Sequence, residues 1–168
     1  AIAEDVGRIP AGQPEHARTE KTVEWCLAHN IPCKGHPLVW DFADPRWLAK
    51  DMEFAEINRL SHARVTDCLK RFSGKIDRWD VVNEPIADAG GLLRPSIWLT
   101  SMGSGYIDSA FVWAHAADPA ASLYVNDYGI EGINPKSNVL LTLVRDLKAR
   151  GVPVNGVGLQ SHLTTAPP

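Results

Sequence analysis

The apolar positions of this chain switch between two periods, one near 3.6 and one near 2, and each switch is marked by a breaker. Pro14 to His29 has the helical period. Val23, Cys26 and Leu27 form its apolar face, Glu20 and Lys21 lie opposite, and Asn30 stops it. Ile31 to Trp40 follows as a strand, made irregular by Pro32, Gly35 and Pro37. Asp44-Pro45 is a turn signal. Glu53 to Phe72 is a second helix, with Ile57, Leu60, Val65, Leu69 and Phe72 near helical spacing, closed by Ser73-Gly74. Ile76 to Val82 is a second strand, apolar enough at its centre to be buried on both faces. Pro85 has no N–H for a ladder, so this strand ends before it.

The second half repeats the alternation. Ile86 to Ser96 is a long Gly-containing loop. Tyr106 to Ala117 is a helix ended by Asp118-Pro119, and Ser122 to Val125 a short strand. Pro135 to Arg150 is the clearest helix, with Val139, Leu140, Leu143, Val144 and Leu147 on one stripe and Gly151 after it. Val154 to Leu159 is the last strand. Ala1 to Gly12 and Thr164 to Pro168 carry no periodicity. Strands centred about 35 to 45 residues apart, with a helix between each pair, imply right-handed βαβ units and a parallel sheet. A complete (β/α)₈ barrel takes about 250 residues. Four strands make either half of such an α/β barrel or a small open sheet, as one domain over residues 1–168.

Composition narrows this little. The chain has 168 residues, 45% hydrophobic, with a net charge of -3, which suits one domain with a real core. Mild acidity without a Lys/Arg run argues against a nucleic-acid partner. No apolar run approaches the ~18 residues of a membrane span. The chain opens on Ala1 with no basic-then-apolar leader to read. Cys26, Cys33 and Cys68 lack metal-type spacing, and Cys26 and Cys68 fall on apolar helix faces, so buried thiols are expected. No phosphate-binding glycine motif is present.

Chemistry collects at the strand ends. His36 and Trp40 close the first strand, Asn83 and Glu84 the second, Asn126, Asp127 and Tyr128 the third, Gln160 and His162 the fourth. In a parallel barrel these ends share one face. Amides and imidazoles bond hydroxyls, aromatics cover the apolar faces of sugar rings, and a carboxylic acid can protonate a glycosidic oxygen. Each residue alone has a plainer reading: a strand histidine, a core tryptophan, a turn Asn-Asp pair, a solvated glutamate. A metal on His36, Glu84, Asp127 and His162 is the sharper rival. No H-x-H or H-E-x-x-H element supports it.

Taken together, Gly35-His36-Pro37-Leu38-Val39-Trp40, Trp79-Asp80-Val81-Val82-Asn83-Glu84, Tyr124-Val125-Asn126-Asp127-Tyr128 and Gly156-Val157-Gly158-Leu159-Gln160-Ser161-His162-Leu163 resemble four successive strand motifs of family 10 glycoside hydrolases. These are mostly endo-1,4-β-xylanases built on a (β/α)₈ barrel. The resemblance covers the chain from about Pro14 onward, at the position of barrel strands three to six.

It implies retaining hydrolysis of internal β-1,4 bonds of xylan, without cofactor or metal. Glu84 would be the general acid/base, and Asn83 would hold a sugar hydroxyl beside the cleaved bond. His36, Trp40, Gln160 and His162 would line the same subsite, and Tyr128 would contact the leaving-group side. The partner would be xylan or a xylo-oligosaccharide, and the location extracellular because a polymer cannot enter a cell. Two departures stand out. The family usually has His where this chain has Asp41. The family's nucleophile is a Glu ending the strand after Gln160 and His162, so it is expected beyond Pro168, and these residues alone are expected to be nearly inactive. An open half-barrel should also expose strand edges. A non-catalytic carbohydrate-binding or inhibitor-like protein of the same fold is the alternative.

Overall fold

The computed structural model describes residues 16–43, 48, 52–163 and 165. The expected Pro14 helix start, the Asp44-Pro45 turn and the first twelve residues lie outside them. Five helices and three strands are described: α1 (Ala17–Ala28), α2 (Phe54–Phe72), β1 (Arg78–Asn83), α3 (Ile97–Met102), α4 (Gly105–Ala117), β2 (Ser122–Asp127), α5 (Pro135–Ala149) and β3 (Gly156–Leu159). A 3₁₀ turn covers Asp41–Ala43.

The sheet is parallel throughout, in the order β1-β2-β3. Sequential parallel strands joined by helices are the repeating unit of a (β/α)₈ barrel. β1 is buried from Trp79 to Asn83, as its apolar centre predicts. β3 pairs with β2 alone among the described residues, and Val157 and Leu159 are exposed on it.

Ile31 to Trp40 does not form the expected strand. It runs parallel beside β1 and pairs with it in bridge geometry at two positions, Gly35 with Trp79 and Val39 with Val82. Gly35, Leu38 and Val39 donate to the carbonyls of Arg78, Asp80 and Val81 over 3.0 to 3.1 Å. Pro32 and Pro37 have no N–H to give, so a continuous ladder cannot form. Gly35 has a second role: a Cβ there would lie 2.0 Å from the Trp79 ring. Its bare backbone lets the segment lie against β1.

The helices cover the sheet. α2 packs on α4 and α3, and α4 also touches β1 and β2. Ile57, Val65, Leu69 and Phe72 of α2 meet Ile107, Ala110, Phe111 and Ala114 of α4 in one core. Each fully buried large side chain contributes about 1.5–3 kcal/mol. Leu60 is only half-buried, and Leu27, expected on the apolar face of α1, is 44% exposed. Within the α5 stripe Leu140 and Leu147 are buried, while Val139, Leu143 and Val144 pack at its margin. Asn134 caps α5 by accepting from Ser137 N, and Ser137 Oγ accepts from Asn134 N. α3 was not anticipated. Six residues are too few to show a period, but Ser96 marks its start by accepting from Leu99 N. Cys33 and Cys68 are buried and Cys26 is half-buried.

Candidate active site

The site is built by register. Asn83 and Asn126 are paired positions on β1 and β2, and Asn126 is paired with Gly158 on β3. Neighbouring side chains at matched positions point to the same side of a parallel sheet. Asn126 Nδ2 accordingly donates to Asn83 Oδ1 over 2.7 Å. A Cβ at position 158 would sit 2.4 Å from Asn126 Oδ1. Gly158 thus leaves the Asn126 amide its place.

Glu84 follows the last residue of β1. Its φ of 54° puts it in the left-handed region, which a side chain beyond glycine seldom adopts. The turn lifts it out of the ladder while its N–H still donates to Asn126 O over 2.7 Å. The residue is buried, and its Oε1 accepts from Asn83 Nδ2 over 3.2 Å and from Gln160 Nε2 over 2.9 Å. A carboxylate only accepts, so it orients both amides. Gln160 Nε2 also lies 3.2 Å from Asn83 Oδ1, leaving Gln160 Oε1 to accept from His162 Nε2 over 2.8 Å. One chain of hydrogen bonds therefore joins His162, Gln160, Glu84, Asn83 and Asn126.

His36 stands one strand away. Its Nδ1 donates to Asp80 Oδ2 over 2.8 Å, and Lys34 Nζ lies 2.7 Å from Asp80 Oδ1. Asp80 is 2% exposed, so its charge needs these partners. It sets which imidazole nitrogen of His36 carries the proton. The Trp40 ring is 6.0 Å from His36. A shallow cleft is lined by Trp40, Asp41, Asn83, Glu84, Ser96 and Tyr106, among others. Burial pushes the Tyr106 phenol well above its ordinary value, with the nearby Asp41 and Asp127 adding to the shift.

Tyr128 is placed differently from the other predicted residues. Its hydroxyl donates to Asp88 Oδ1 and lies 3.1 Å from Arg94 Nη2. Lys136 Nζ sits 3.5 Å from the centre of its ring, a cation–π contact. The same ammonium is 2.9 Å from Asp127 Oδ1 and 3.4 Å from Asp88 Oδ1. Asp127 is fully buried and accepts from the N–H groups of Tyr128 and Ile86. Burial pushes its carboxyl up, while Lys136 and those two N–H groups pull it down. Arg94 ties this cluster to the backbone after β1, donating from Nε to Glu84 O over 3.0 Å and from Nη2 to Ile86 O over 3.2 Å.

The structure therefore brings Glu84, Asn83, Gln160 and His162 into one network, sets His36 and Trp40 beside it, and holds Tyr128 in a knot with the loop after β1. Asp80, Asp88, Arg94 and Lys136 were not singled out from the sequence. An aspartate inside the otherwise buried run of Trp79 to Asn83 is a usable signal for Asp80, since such a charge requires partners. Arg94 and Lys136 carry no local signal. Among the described residues no group of three His, Cys, Asp or Glu could hold a metal ion, and no helix is long and apolar enough to cross a membrane.

A parallel barrel-type sheet with a buried carboxylate among amides at its carboxyl end defines a class of α/β proteins with rim-sited chemistry. Residues 7–168 match the family model Glycosyl hydrolase family 10. The chain belongs to that family, and with it to the (β/α)₈ fold, of which it holds part. It is 40% identical over 145 residues to endo-1,4-beta-xylanase B of Thermotoga neapolitana, covering 86% of this chain and 42% of that protein. An exoglucanase of Acetivibrio thermocellus is 37% identical, over 96% of this chain and 16% of that protein. Xylanase 10B of Thermotoga petrophila, solved with xylobiose, superposes with a TM-score of 0.90 at 36% identity, covering 95% of this chain and 49% of that one. The intracellular xylanase of Thermoanaerobacterium saccharolyticum gives 0.88 at 35%, covering 95% and 53%. The chain thus spans about half the length of these solved relatives.

Proposed function

We propose that this chain supplies the acid/base side of an endo-1,4-β-xylanase site, acting with retention on internal bonds of xylan. The observation that carries this reading is the anchoring of Glu84. Among the described residues both hydrogen bonds that reach its carboxyl group fall on Oε1 and come from neutral amides. Oε2 is then the oxygen left for proton transfer. It would protonate the glycosidic oxygen as the bond breaks, and the resulting carboxylate would later take a proton from water.

The other rim groups fit a sugar ring in this reading. Asn83, His36, Gln160 and His162 offer polar groups for hydroxyls, and Trp40 offers an apolar surface. Tyr128 would meet the leaving-group side, from a position set by Asp88, Arg94 and Lys136. Retention needs a second carboxylate about 5–5.5 Å from the acid, as nucleophile. The barrel order would bring it from the strand following β3. Without that partner, the 168 residues alone would show little turnover. The polymeric substrate favours action outside the cell, although a related xylanase is intracellular.

The test is hydrolysis by the full-length protein of xylan against cellulose, with Glu84→Ala beside it. The variant should lose at least about 100-fold on xylan and regain rate with azide on an activated aryl xyloside, forming the β-azide. Xylan hydrolysis unaffected by the substitution would end the assignment of Glu84. Binding of xylo-oligosaccharide without any hydrolysis would favour the non-catalytic reading.

A further inference from the structure

We infer that Arg94 is a positioning residue for the acid/base, acting on the backbone of Glu84 rather than on its carboxyl group. The inference rests on the role proposed above for Glu84 and extends it to a residue ten positions further along the chain.

Glu84 holds its carboxyl group in place only if its backbone stays in the left-handed region, at φ 54°. For a glutamate that conformation persists only when its surroundings enforce it. On the N–H side the enforcement comes from Asn126 O at 2.7 Å. On the carbonyl side it comes from Arg94, whose Nε donates to Glu84 O over 3.0 Å. The remaining contacts of Arg94 brace the same turn. Its own N–H donates to Pro85 O over 2.7 Å, and Nη2 reaches Ile86 O at 3.2 Å. Three consecutive carbonyls after β1 are thus held by one residue.

The guanidinium is itself anchored. Nη2 lies 2.9 Å from Asp88 Oδ1 and 3.1 Å from Tyr128 Oη, and the side chain is 12% exposed. Its charged carbon sits 5.4 Å from the Phe42 ring centre and 5.9 Å from that of Tyr128. A planar fork with five donors can serve Glu84 O, Ile86 O and Asp88 together. A lysine can replace the charge but not that geometry. A shift of an ångström at a catalytic group is enough to lower rate by about 100-fold. Arg94 therefore acts on the step in which Glu84 transfers its proton.

The leaving-group dependence of the full-length protein reads that step. Aryl xylobiosides with basic phenol leaving groups need protonation, whereas dinitrophenol leaves without it. Arg94→Met should lower kcat/KM by at least about 10-fold for basic phenols and less than about 3-fold for dinitrophenol, with kcat rather than KM carrying the loss. Arg94→Lys should recover part of it. Equal losses on all leaving groups would mark Arg94 as merely structural and overturn the inference. Glu84→Gln run in parallel separates the two ideas. If it shows no leaving-group dependence, the acid assignment fails first and the inference falls with it. Should both Arg94 variants fail to fold, the wild-type protein still decides. The Arg94 Nε–H, bonded to Glu84 O, should exchange with solvent at least about 10-fold more slowly than the Nε–H groups of the exposed Arg59, Arg78 and Arg150 at neutral pH. Exchange at their rate would refute the contact.

Discussion

Gln160 Nε2 donates to Glu84 Oε1 over 2.9 Å and so ties the end of β3 to the end of β1 across 76 residues. In the function proposed for Glu84, this bond fixes which carboxyl oxygen is held and which is left for chemistry. Gln160→Ala should remove one charge-assisted bond, a loss of about 1.5–3 kcal/mol in transition-state positioning, or roughly 10- to 100-fold in rate. Steady-state kinetics of the full-length protein on xylo-oligosaccharides measure it. A change below 2-fold would mean that Asn83 alone orients the acid.

Gly158 makes a stability prediction. Gly158→Ala drives a methyl group to 2.4 Å from Asn126 Oδ1. Either the strand shifts or Asn126 releases Asn83. Crowding of this kind costs about 1–3 kcal/mol. Urea unfolding should show a lower midpoint at an unchanged slope, and the Asn126 side-chain amide signals should move in the NMR spectrum.

Lys136 and Asp127 form the buried ion pair beneath the site, at 2.9 Å with the carboxylate fully buried. Lys136→Met leaves that carboxylate without its cation and should destabilise the protein by about 3–5 kcal/mol. The double variant Lys136→Met, Asp127→Asn removes the stranded charge and should recover much of the loss. A double-mutant cycle by chemical denaturation tests this. Additive losses would show that the pair is not coupled.

Asp88 makes a pH prediction. The Tyr128 hydroxyl, and after it Arg94, holds its carboxyl at about 2, below the ordinary 3.8. A depressed folded value means that ionised Asp88 stabilises the fold at pH above about 4, and that this is lost as the pH falls through about 2. Asp88→Asn should lower Tm at neutral pH, and the difference from wild type should shrink from pH 4 downward. Because Asp88 is 63% exposed, the effect should also weaken in high salt. A Tm difference that is constant from pH 7 to 2 would show that the Asp88 charge is not involved.

Much of this protein was legible before any coordinate. Runs of apolar residues with period 3.6 place α2, α4 and α5 within a residue or two, because a helix must bury one face whatever lies opposite. The buried β1 run and the polar groups at the strand ends locate the site's members, because a parallel sheet gathers those ends on one side. Two misreadings have local causes. The prolines of Ile31 to Trp40 turned an apparent strand into two bridges, and α3 was too short to show its period. What only the tertiary structure decided is who meets whom. The register that sets Asn83 beside Asn126, and Asn126 against a glycine, depends on strands dozens of residues apart. So does the burial that makes Asp80 orient His36, and Asp127 require Lys136. Arg94 looks like any loop cation in the sequence. Its role exists only because the chain after β1 turns back and places a guanidinium against the carbonyl of Glu84.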